Sequence, residues 1–140
     1  MKSLGILLVG RLRAGLVDDR GSAIAEFTMV GALLTVLTLS VLQLGLALHI
    51  RNTVQDAAAE GARYGALADN VPSDGVRRTT ELIELAIGDD YAQNVTARAG
   101  TWMGHPAVSI TVRTRLPLFG LVGIDGVLEV SGHAAVETLD

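Results

Sequence analysis

One ionisable group at the front of the sequence can do chemistry: the Glu26 carboxylate, within Arg20-Gly21-Ser22-Ala23-Ile24-Ala25-Glu26-Phe27. It lies at the edge of a long apolar run. Burying a lone charge there is costly, and pairing it with a cation offsets part of that cost. A plainer role is also open: an acid near a helix N-terminus is favourable to the helix dipole.

Elsewhere the sequence is poor in reactive groups. There is no cysteine, which removes disulfides, thiol catalysis and thiolate metal ligands together. The three histidines, His49, His105 and His133, do not share a spacing suited to a metal. Asp89-Asp90 and Glu81/Glu84 are too sparse for a calcium loop. Phosphate-binding and dinucleotide glycine motifs are missing, as are G-x-S-x-G and S-x-x-K. Asn94-Val95-Thr96 matches a short glycosylation pattern of the kind that chance often produces. The net charge of −4 argues against a nucleic-acid partner. The expectation is therefore a chain that is not an enzyme, with no cofactor and no metal.

The element that must position Gly21 and Glu26 is apolar. Phe27 to Ile50 gives twenty-four residues with no Asp, Glu, Lys or Arg. As a helix this run is about 36 Å long, enough to cross about 30 Å of hydrocarbon with some tilt. Its Thr28, Thr35, Thr38 and Ser40 hydroxyls can bond to the helix's own carbonyls or to a neighbouring helix. Mean hydropathy of the chain is +0.42. Residues 1–21 carry a charge of +2 and the remainder −6. Arg11, Arg13 and Arg20 precede the run, while Arg51 and Arg63 follow it. That bias places the N-terminus in the cytoplasm. The apolar stretch Leu4–Val9 is too short for the core of an ordinary secretory signal.

Gly21 followed five residues later by Glu26-Phe27 and an apolar helix resembles the class III signal of type IV pilins and pseudopilins. There a prepilin peptidase cuts after the glycine, which here would leave a free ammonium on Ser22, four residues and about 6 Å along a helix axis from Glu26. In a packed helical assembly, Glu26 of one copy can then meet the new amine of another. Beyond the span comes Arg51-Asn52-Thr53-Val54-Gln55-Asp56-Ala57-Ala58-Ala59-Glu60-Gly61-Ala62-Arg63-Tyr64-Gly65. With the junction, this resembles the TadE-like family of the tight-adherence (Tad/Flp) pilus apparatus, most strongly over residues 20–68. Gly65 stands where that family usually has alanine. Read without the family, Val54, Ala57, Ala58, Gly61, Ala62 and Gly65 form a small-residue stripe at helical spacing. Gly61 and Gly65 let another backbone come close, from the same chain or from a sibling subunit. Glu60 and Arg63 are spaced to pair on the helix surface.

Asp69 to Gly75 reads as a loop, with Ser73 or Asp74 capping a helix over about 75–87. Val76, Leu82, Ile83, Leu85, Ala86 and Ile87 make its apolar stripe, and Gly88-Asp89-Asp90 ends it. The period then changes to two. Val95–Ala99, Ala107–Leu116 and Leu128–Thr138 read as strands, with Val108, Ile110, Val112, Thr114 and Leu116 on one face of the second. The connector Pro117–Gly126 is apolar and glycine-rich, and either covers the sheet's open end or forms an exposed patch. Trp102, the single tryptophan, is assigned to a core edge or hairpin.

The predicted fold class is α+β and pilin-like. A long N-terminal transmembrane helix continues into a small domain with a second helix and a three-stranded antiparallel sheet. Residues 1–21 are expected to be a prepilin-type leader, 22–50 the transmembrane helix and 51–140 an extracytoplasmic domain. The resemblance implies a bacterial minor pilin or pseudopilin that takes part in Tad pilus assembly for surface adherence. It implies processing at Gly21 and Ser22, an assembly contact through Glu26 and Phe27, and helix packing at Gly61 and Gly65. It also implies a single pass of the inner membrane from Phe27 to Ile50, in contact with membrane lipid. The implied partners are the prepilin peptidase, the major pilin and a second pseudopilin. The alternative is an uncleaved, signal-anchored extracytoplasmic binding protein outside any pilus.

Overall fold

A computed structural model describes residues 19–116 and 126–138. Two helices are followed by a 3-10 turn and three strands. Helix α1 is Asp19–Gly65, α2 is Pro72–Ile87, and the 3-10 turn is Asp89–Tyr91. Strands β1, β2 and β3 are Val95–Trp102, His105–Arg115 and Val127–Ala135. The arrangement is the α+β one expected. The expected leader falls mostly on residues 1–18 and the connector on 117–125, both outside the described residues.

The chain divides into two compact units, Met1–Leu42 and Gln43–Asp140. In the first, the described residues are all turns of α1. Their large apolar side chains point outward, with Phe27 80% exposed. The polar groups are satisfied locally: Thr28, Thr35, Thr38 and Ser40 each donate a 2.8 Å hydrogen bond to the carbonyl four residues back. Of the two routes open to these hydroxyls, the helix uses its own backbone. Apolar outside and self-satisfied in its hydrogen bonds, this helix meets the two demands of a bilayer. Among the described residues α1 is the one helix long and apolar enough to cross a membrane, and no part of its apolar window is buried.

The second unit holds the core. Ile50, Val54, Ala57, Ala58 and Ala62 of α1, with Ala66 just past its end, turn inward. They meet Ile83 of α2 and Val108, Ile110, Val112 and Val130 of the sheet. The sheet order is β1-β2-β3, antiparallel throughout. Val108, Ile110, Val112 and Thr114 are buried, and Leu116 is half-buried, on the face that alternation assigned inward. Met103 and Gly104 join β1 to β2 with φ of 50° and 84°. Positive φ at both central residues is the pattern of a type I′ turn, whose twist suits a tight hairpin.

Several boundaries move. α2 starts at Pro72 rather than near Gly75, because a proline suits the first helical position. Asp74 does not cap from outside: its Oδ2 accepts the Val71 N–H at 3.0 Å from within the first turn. Leu85 and Ala86 leave the expected stripe and lie exposed, Leu85 at 87%. The buried face runs Gly75, Thr79, Ile83 at steps of four, a row a hydrophobicity pattern misses because two of its members are not apolar. β1 extends to Trp102 and β2 starts at His105, since the two-residue turn lets pairing continue to the tip. β3 stops at Ala135, after which the Glu137 N–H donates to the Ala66 carbonyl at 2.9 Å.

The two faces of α2 give a direct test. Ile83→Ala should lower the unfolding free energy of the detergent-solubilised chain by about 2–5 kcal/mol. Leu85→Ala should change it by less than about 0.5 kcal/mol in the same denaturant titration followed by circular dichroism.

Candidate functional site

Gly21, Ser22, Glu26 and Phe27 lie on the opening turns of α1, which begins at Asp19. The Gly21–Ser22 bond is thus helical. Glycine is worse than alanine in a helix by roughly 1 kcal/mol, which favours local unwinding at this bond. Glu26 is exposed one turn further on and has no ion-pair partner among the described residues. Phe27 begins the outward-facing apolar surface. The ring and the carboxylate are adjacent, so a charge and a lipid-compatible surface meet at this point of the helix.

Gly61 and Gly65 lie in the other unit. A β-carbon on Gly61 would collide with the Thr79 hydroxyl and fall 2.6 Å from the Gly75 carbonyl oxygen. One on Gly65 would lie 3.2 Å from the Gly75 Cα. These two glycines therefore form an α1–α2 crossing within one chain. Thr79 Oγ1 sits in the crossing, 2.9 Å from the Gly75 carbonyl and 3.3 Å from the Ala57 carbonyl, so one hydroxyl serves both helices. Glu60 and Arg63 approach to 3.7 Å on the exposed side of the same helix.

Two close contacts of α1 escape a reading of the sequence, one at this crossing and one with the sheet. Gly75 looks like loop punctuation there, yet it is buried, and its added β-carbon would lie 2.5 Å from the Gly61 carbonyl. Gly132 sits inside β3, where a β-carbon would meet the Ala58 backbone. A glycine in a strand interior is the available signal for such a close approach. Beside it the Gln55 Nε2 donates to the Ser131 carbonyl at 3.0 Å, tying α1 to the sheet.

Among the described residues no group of three or more His, Asp or Glu is placed to hold a metal. A cavity of about 680 Å³, open to solvent, lies between Asp90–Asn94 and the end of β2, lined by Arg113, Thr114, Arg115 and Leu116 among others.

Residues 21–63 match the family model described as TadE-like protein. The match takes in Gly21, Ser22, Glu26, Phe27, the apolar run and Gly61, and stops short of Gly65. No curated protein and no solved structure matches the chain at a significant level.

The crossing predicts which glycines tolerate a methyl group. Gly61→Ala should cost about 1–3 kcal/mol in thermal or denaturant unfolding, from overpacking against Thr79 and Gly75. Gly31→Ala, with open space around its position, should cost nothing and gain up to about 1 kcal/mol of helix propensity.

Proposed function

We propose, from a chain that is TadE-like over residues 21–63, that it works as a minor pilin or pseudopilin in assembling a Tad pilus for surface adherence. Its role is structural rather than enzymatic. A prepilin peptidase cuts the Gly21–Ser22 bond on the cytoplasmic side of the inner membrane. The apolar face of α1 then holds the product in lipid, with the C-terminal residues outside, until assembly. The major pilin and a second pseudopilin are the partners this reading assigns.

One observation carries the reading: the matched segment starts at Gly21, and it presents Glu26 exposed, with no ion-pair partner among the described residues, at the head of a helix otherwise apolar outward. A carboxylate in that setting calls for a cation. The ammonium that cleavage would create on Ser22, of the same or a neighbouring copy, supplies one. Glu26 and Phe27 are both exposed on α1, so their chemistry is available for contacts between copies.

The uncleaved-anchor reading keeps one observation of its own. The Gly21–Ser22 bond lies inside α1, and a peptidase needs that turn extended before it can act. In that case α1 serves as a permanent anchor and Glu26 only favours the helix dipole.

A Glu26→Gln substitution separates the roles. The variant should reach the membrane at wild-type levels by carbonate extraction, yet support at most a tenth of wild-type pilus assembly, scored by surface pili. Normal piliation in that strain would remove the proposed assembly contact.

A further inference from the structure

On the outer face of the sheet, the face turned away from α1, two aromatic side chains and one hydroxyl from three strands form one contact. The Trp102 indole of β1 stacks on the His133 imidazole of β3, with centroids 4.1 Å apart and planes 4° from parallel. The Ser109 hydroxyl of β2 lies 2.7 Å from His133 Nδ1. The strand register explains how a side chain of β1 reaches β3. Trp102 is opposite His105 and His133 is opposite Ser109; the row between holds only Gly100, Ala107 and Ala135. Small residues there leave a trough for the indole. Ala107 is 2% exposed although it lies on the outer face, which an indole laid across it accounts for. Trp102 itself remains 46% exposed.

We propose that Trp102 is a clasp that fastens the β1–β2 hairpin across the sheet to β3, and that protonation of His133 tightens it. The stacked geometry is the argument. Neutral aromatic rings already favour an offset stack. An imidazolium over the indole face adds an electrostatic attraction to the ring's quadrupole. The Ser109 oxygen can accept the Nδ1–H of the charged ring while its own proton turns to water.

The surrounding charges do not supply a competing partner. The outer face carries Arg98 on β1, His105, Arg113 and Arg115 on β2, and Glu129 on β3. Glu129 is held by Arg113 at 2.7 Å. Beyond β3, the Glu137 carboxylate lies 3.5 Å from the Ala68 N–H. Arg98 and His105 oppose a second cation, and solvent screens both on this exposed face. α1 and α2 pack on the inner face and present no charge to the ring. This clasp is independent of the pilus reading.

Trp102 is the chain's one tryptophan, so its emission reports the clasp alone. The full chain in detergent would be titrated from about pH 8 to about pH 5. Emission should fall in one transition as the imidazolium forms against the indole. Hydrogen-exchange protection of the β1 amides, corrected for intrinsic exchange, should rise about two- to five-fold over the same range. His133→Gln should abolish both changes and His105→Gln should keep both. A flat titration, unchanged protection, a transition that survives His133→Gln, or one that vanishes with His105→Gln would each overturn the proposal.

Discussion

Where the Ala58 carbonyl of α1 meets β3, there is no room for a β-carbon, and Gly132 supplies the space. Where α1 crosses α2, Gly61 and Gly75 approach with the same lack of room. These backbone contacts fix how far apart the layers of the second unit can be. With layers this close, the core fills with alanine and valine; Ile83 and Ile110 are its largest fully buried side chains. A thin core of small residues suits a sequence with 4% aromatic residues. It also explains why a polar Thr79 is tolerated at the crossing. Its hydroxyl reaches carbonyls of both helices, and a buried polar group with partners costs little.

The same helix carries two different surfaces. Up to Leu48 its apolar residues face outward; from Ile50 the inward stripe of small residues begins. Between these stretches the sequence changes from leucine-rich to alanine-rich, and Arg51 marks the change. A leucine-rich surface suits lipid tails. An alanine- and glycine-rich one suits close helix and sheet contacts, because only small side chains let backbones approach.

Periodicity made much of this legible. The apolar run, the small-residue stripe and the alternation of β2 each depend on local spacing, and each appears where the pattern puts it. The ends of elements were less legible, since caps and turns decide them: Pro72 draws α2 forward, and the Met103-Gly104 turn lengthens β1. Leu85 misled because periodicity cannot tell which of two neighbouring stripes faces the core when Gly75 and Thr79 make up the true one. Gly75 and Gly132 were illegible as contacts because what they make room for lies far away in sequence. Trp102 on His133 is a contact across three strands, set by register, which one strand's pattern does not contain. At the junction, Gly21, Ser22, Glu26 and Phe27 were legible as a motif, and the structure adds that the bond lies within α1.

Everything proposed for Glu26 depends on whether that bond is cut. N-terminal sequencing of the protein extracted from membranes, made with and without a cognate prepilin peptidase, decides it. The account predicts a chain starting at Ser22 when the peptidase is present and one still carrying the residues ahead of Gly21 when it is absent. The uncut chain in both samples, with the peptidase shown to process another pilin, would contradict it.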